Sequence, residues 1–409
     1  MLPILTSYSK GQGRKGAIKY DQSDIKIGIK QDSSRSKFSV TEDGFYFVSL
    51  SASTEHFGNE GVHLKIDKVS TSGEESHLVS PMLDHEAESE NGYSGGGVVT
   101  GVALPFLKQG DSVLTLLDND LLGGSRVTEA QITIFKLPDQ TKYIECTKER
   151  EQTAMGLITF DGGCRSRSFA VKQNSSFTVV EGGNYLLCLE AEVERGGYFR
   201  SCLLRLKPPK LVFTSIESKH TKLDQNYAGE GTVVNCRVTN IPQNHELTAH
   251  ITANTGSKMK WARFIMFGLS SHYLSAFNIE KQDQIGPVTF KACEQSGIDE
   301  HCRKMRDFRS NSFTVTYSGK YYLSLSAFTG HVNGGLVKLA VIKNDQTTLL
   351  TLENDHEDHQ SSSGFSGGGT VFRDTIRELS QQDKIEVLVT EVQQPSMLTQ
   401  CKINMFFLD

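Results

Sequence analysis

No stretch of this 409-residue chain comes near the ~18 uninterrupted apolar residues that a membrane-spanning helix needs, so no transmembrane segment is expected. Excess positive charge is missing too. A net charge of −5 at pH 7 gives no general attraction for nucleic acid or an anionic membrane. The first 145 residues contain no cysteine although eight follow, which argues against a disulfide framework repeated along the chain. Gly11, Gly13 and Gly16 keep no three-residue period, so the polar opening is not a collagen stalk. His-Glu-x-x-His is absent, and no cysteine or histidine sits in a nucleophile motif, so no enzyme is expected. The first seven residues are too few, and too polar beyond residue 5, for a signal peptide. Either the chain stays inside the cell or a leader has been removed.

What is present is a repeat. Phe38-Ser39-Val40 leads through Gly44 and Tyr46 into an alternating run that ends at Ala52. Phe177-Thr178-Val179, Gly183, Tyr185 and Ala191 repeat it, and Phe313-Thr314-Val315, Gly319, Tyr321 and Ala327 repeat it again. The spacing is 139 residues and then 136. Self-similarity at that period means three tandem units, each long enough to bury its own core. Each unit opens on a short apolar run after Gly16, Gly156 or Gly286. A second alternating run follows at 62–68, 202–207 or 337–343. Then come Gly95-Gly96-Gly97, Gly229-Glu230-Gly231 or Gly367-Gly368-Gly369. An aromatic strand closes each unit at 132–137, 264–269 or 403–408. Period-2 alternation, turn signals and no amphipathic helix predict an all-β fold of three tandem antiparallel sandwiches. The expected boundaries are a flexible N-terminal segment at 1–15, modules at 16–137, 156–269 and 286–409, and linkers at 138–155 and 270–285.

The order of these signals resembles the C1q/TNF superfamily. The carriers are Phe-x-Val, Gly-x-Tyr, the alternating strand, a Gly-Asp turn such as Gly110-Asp111, and an aromatic last strand ending in Leu. Two departures stand out. Ile134, Met266 and Met405 replace the family's glycine in the last strand, and module 2 offers Asn244-His245-Glu246 for the Gly-Asp turn. The resemblance implies jelly-roll sandwiches. Because similar heads assemble as trimers, it also implies an intramolecular pseudo-trimer. Tyr46, Val48, Leu50 and Ala52 share the core face of their strand. Phe47, Leu186 and Tyr322 occupy equivalent places on the opposite face, where large apolar groups require cover. The resemblance puts this head–head interface near a three-fold axis. The alternative is three beads on a string.

Acidic-histidine loops before the glycine runs are the candidate metal site: Asp84, His85 and Glu86 in module 1, and Asp355, His356, Asp358 and His359 in module 3. Carboxylates suit Ca2+ and imidazoles suit Zn2+. The resemblance favours Ca2+, which similar heads often hold between them; the plain alternative is a solvated acidic loop. The glycine runs read as a bulge or a close backbone approach, with packing between neighbouring heads as the functional alternative. Trp261 is either a ligand platform beside Arg263 or a core aromatic, and 303–309 is a local basic patch. Cys146 with Cys164, or Cys293 with Cys302, would staple loops; Cys188, Cys202, Cys236 and Cys401 lie in strand-like runs and read as small apolar residues. A sequon at Asn174-Ser175-Ser176 hints at a secreted route. The expected function is non-enzymatic extracellular recognition or adhesion. Head loops would bind a glycan, a microbial surface or an extracellular protein, in a pattern-recognition or lectin-like manner. A self-associating matrix protein and a TNF-like receptor ligand are the alternatives.

Overall fold

The computed structural model describes residues 2–57, 61–83, 86–87, 94–119, 125–172, 174–194, 198–205, 212–221, 227–228, 230–269, 272–296, 311–332, 335–356, 366–393 and 395–408. Among the described residues there is no helix, and every strand pairing is antiparallel. The inner sheet of module 1 runs Gln22–Ile27, Ile4–Gln12, Arg126–Lys136, Gly44–Phe57, Ser94–Ala103. Its outer sheet runs Ile29–Gln31, Lys37–Val40, Ser112–Leu117, Val62–Val69. Module 2 repeats both orders, with Gly183–Glu194 in the place of Gly44–Phe57; module 3 repeats the inner order around Gly319–Val332, and its outer sheet runs from Ser312–Thr314 through Lys384–Val392 and Gly335–Lys343 among the described residues. Two facing antiparallel sheets in this order make each module a jelly-roll sandwich.

The Gly-x-Tyr signature has a local cause. The Tyr46 hydroxyl donates to the Glu42 carbonyl at 2.8 Å, Tyr321 donates to Tyr317 at 2.7 Å, and Tyr185 donates to Glu181. Each bond closes the turn into the long central strand. At Gly319, φ is 155° and a Cβ would lie 2.2 Å from the Phe407 ring, so only glycine fits.

Three expectations about boundaries need correction. Residues 1–15 are not a loose tail, because Ile4–Gln12 is an inner strand paired on both sides. Residues 138–155 and 270–285 are not linkers. They carry Tyr143–Lys148 and Tyr273–Asn278, which take in modules 2 and 3 the place of Ile4–Gln12. These strands were hidden because their polar residues are buried too: Thr6, Ser7 and Ser275 have no exposure. Among the described residues, the first strand of each following module therefore begins within a few residues of its predecessor's closing strand.

Every module has its own core. Tyr46, Val48 and Leu50 meet Leu64, Ile66 and Val113; Tyr185, Leu187 and Leu189 meet Phe177 and Leu247; Tyr321, Leu323 and Leu325 meet Leu339 and Val387. A fourth core draws on all three modules and contains Phe47, Leu186 and Tyr322 together. The Phe47 ring lies 5.7 Å from Phe267 of module 2 and 5.8 Å from Tyr322 of module 3, edge-on to the latter. Phe135, Phe267 and Phe406, one from each closing strand, stand within 6.0–6.5 Å of one another. The modules therefore enclose a common aromatic centre.

Candidate functional site

The glycine runs lie at the seams between modules. Gly96 and Gly97 pair with Asp355 and Asn354 of module 3. Gly367, Gly368 and Gly369 pair with His220, Lys219 and Ser218 of module 2. Gly231 pairs with Leu83 of module 1. Each inner sheet continues into the outer sheet of a neighbour, and the three junctions close a ring. A Cβ on Gly96 would sit 2.3 Å from the Thr54 carbonyl oxygen, so the close approach requires glycine. Beside the glycines, Thr232 Oγ1 accepts from the Met82 amide at 3.0 Å, and Thr370 Oγ1 accepts from the Glu217 amide at 2.9 Å. Val98 stands at the same position of module 1 and enters the core of module 3 instead.

The letters Gly-x-Ser-x-Gly occur in the sequence at 92–96 and 364–368. Their serines open the extended strands Ser94–Ala103 and Ser366–Leu379. A nucleophile elbow needs a sharp turn from strand into helix, which is not the geometry here.

Polar groups are sealed into the seams as well. Gln131 and Arg263 hold equivalent positions in the closing strands. Gln131 Nε2 donates to the Asp374 carbonyl at 2.5 Å, and Arg263 Nη1 donates to the Val102 carbonyl at 2.5 Å. Arg263 also lies 3.6 Å from Glu145 and 3.9 Å from Glu190. Glu190 is fully buried, and burial pushes its carboxyl up to about 8 although Arg263 acts the other way. Between modules 1 and 3, Arg373 reaches Glu129 at 2.5 Å, and Arg377 pairs with Asp24. Asp374 accepts a hydrogen bond from the Tyr322 hydroxyl at 2.9 Å, and burial raises its carboxyl to about 7. Trp261 is partly buried against the core of module 1, with Arg263 4.9 Å from its ring centre; it works as a seam aromatic.

Two cavities adjoin this framework. One, of about 290 Å3, opens where the closing strands converge and is lined by Phe135, Phe267, Phe406, Leu137, Leu269 and Leu408. The other, of about 230 Å3, lies between modules 2 and 3 and is lined by Arg200, Arg237, Lys402 and Glu217 together with the apolar Phe277, Ile279 and Phe328.

The acidic-histidine loops fall largely beyond what can be described. Asp84, His85, Asp358 and His359, like the basic run 303–309, lie outside the described residues. Glu86 sits opposite Ala228 of module 2, and Asp355, half-buried, sits opposite Gly96 of module 1, so both are seam positions. His356 ends the strand Thr347–His356. Among the described residues no three His, Cys, Asp or Glu side chains gather as a metal needs.

Sequence reasoning also missed a disulfide. Cys146 pairs with Cys164 as one of the alternatives had it, but Cys188 and Cys236 are joined rather than free. Both bonds link residues directly opposite on neighbouring strands. Cys401 is a buried free thiol.

No protein family profile matches the chain, and no curated protein matches its sequence. Among solved structures, the globular domain of zebrafish complement 1qA aligns with 34% of this chain and 98% of its own length, at 16% identity and a TM-score of 0.25.

Proposed function

We propose that this chain is a C1q-like recognition protein that works outside the cell, without catalysis, by presenting three lobes in a fixed array. The observation that carries this reading is the common apolar centre that holds Phe47, Leu186 and Tyr322 together. Three lobes held by one core offer three related but non-identical outer faces at fixed separation. A repetitive surface engages such an array with avidity, because the second and third contacts become intramolecular. Cross-strand disulfides at Cys146–Cys164 and Cys188–Cys236 favour an oxidising compartment. The ligand class this reading favours is a glycan or another repetitive extracellular surface. A glycan-array screen with and without chelator tests it. Saturable retention on a defined glycan group supports the reading, loss on chelation assigns Ca2+ to the acidic-histidine loops, and silence across the array counts against it.

A second reading, self-association into a matrix, draws on Met155, Leu157 and Ile285. These side chains are 64%, 43% and 68% exposed around the opening turns of modules 2 and 3. Light scattering separates the two: mass growing with concentration supports the matrix, and a constant 45.2 kDa supports the recognition protein.

A further inference from the structure

The closing-strand position held by Gln131 and Arg263 is held in module 3 by Lys402, and here the three-fold pattern breaks. Gln131 and Arg263 each donate to a carbonyl in the neighbouring module, that of Asp374 or Val102. The matching carbonyl at the third seam belongs to Cys236, and Asn404 Nδ2 already occupies it at 3.1 Å. Lys402 Nζ is displaced. Its one hydrogen bond among the described residues is a long one, 3.4 Å to Asn235 Oδ1, and it makes no ion pair there. It lines the 230 Å3 cavity instead. Thr214 lines the same cavity. That residue is 1% exposed, and its oxygen has no hydrogen-bond partner. Arg200 and Arg237 complete the polar wall, each beside a carboxylate: Glu217 at 3.1 Å and Glu294 at 2.9 Å. Those pairs balance, so Lys402 sets the charge that a ligand meets. Phe328 and Gln400 add an apolar surface and an amide to the wall.

We propose that this cavity is an oxyanion site, in which the Lys402 ammonium and the Thr214 hydroxyl receive the carboxylate or sulfate ester of an acidic saccharide. The saccharide part rests on the recognition reading above; the oxyanion part rests on the cavity alone. Burial, with Arg237 alongside, lowers the amine to about 7, while Glu294 pulls the other way and the thiol of Cys401, raised to about 12, stays neutral. An arriving anion therefore takes up a proton with it.

Calorimetry on the full chain tests the site with N-acetylneuraminic acid, glucosamine 6-sulfate and sodium sulfate as probes, at pH 6 and pH 8. One-to-one binding of at least one sugar is expected. It should be about tenfold weaker at pH 8, because the charged share of a group titrating near 7 falls by about that factor. Preference for the first or the second sugar names carboxylate or sulfate ester as the source. Lys402→Gln copies the residue of module 1, keeps a donor for Asn235, and should abolish binding with melting unchanged. Should that variant melt early, Thr214→Val keeps the shape, loses the hydroxyl and should weaken binding several-fold. Binding of sodium sulfate only (an adventitious ion only), binding of no probe, or binding that survives both substitutions would overturn the site. Array hits that persist in Lys402→Gln keep the recognition reading and sink the cavity. Sugar binding in the cavity with a silent array does the reverse.

Discussion

Phe47 shows how much one side chain carries. It has no exposure and touches the rings of Phe135, Phe267 and Tyr322, so it belongs to all three modules at once. Truncation to alanine leaves a cavity that three rigid sheets cannot collapse. Phe47→Ala is expected to cost ~3–5 kcal/mol, read from the urea midpoint; a shift below ~1 kcal/mol would mean the centre contributes little. Asp374 supplies a prediction of another kind. Its carboxyl is raised by burial from 3.8 to about 7, so the native state holds a proton that the unfolded chain gives up. The stability from this group is complete below 3.8 and drains as pH climbs to about 7. Asp374→Asn keeps the shape and should flatten the pH dependence of Tm across that window. Glu190, raised from 4.5 to about 8, has the same sign, so Glu190→Gln should remove the fall that continues to pH 8. Slopes identical to wild type in both variants would place the titration elsewhere.

At the level of strands, the glycine runs are joints. Pairing of Gly96 and Gly97 with Asp355 and Asn354 needs a backbone with no side chain in the way, because Thr54 is already in contact. Gly96→Val should push Ser94–Ala103 away from Gly44–Phe57 and open the junction with Thr347–His356. Amide exchange at Thr54, Glu55 and Asp355 is the readout. Faster exchange there, with the core of module 2 still protected, is the expected result; unchanged protection would show that the junction tolerates a side chain. The periodicity of these elements was legible locally. Tyr46, Val48 and Leu50 alternate with Phe47, and an alternation of that length specifies a strand whatever surrounds it. Ile4–Gln12 was not legible, because Ile4 faces the common centre, Leu5 faces the module core, and buried Thr6 and Ser7 erase the contrast between faces.

For the molecule as a whole, three sandwiches on one centre predict a compact particle. The radius of gyration by small-angle scattering should be about 22 Å for this length. Phe47→Asp places a charge where no water reaches and should raise that radius while the far-ultraviolet circular dichroism stays that of folded sheets. An unchanged radius together with unchanged melting would show that the lobes do not depend on that centre.

The sequence alone determined the threefold repeat, the all-β character and the two faces of the central strand, since these depend on neighbours a few residues apart. It also singled out Phe47, Leu186 and Tyr322, because large apolar groups on an outward face demand cover. Only the tertiary structure decided what covers them, which cysteines meet, and where Lys402 points. Cys188 finds Cys236 only once their strands lie side by side, and Lys402 is displaced only because Asn404 reaches a carbonyl of another module first. Such outcomes are contests between distant groups for one partner, and no local pattern in the chain records which group wins.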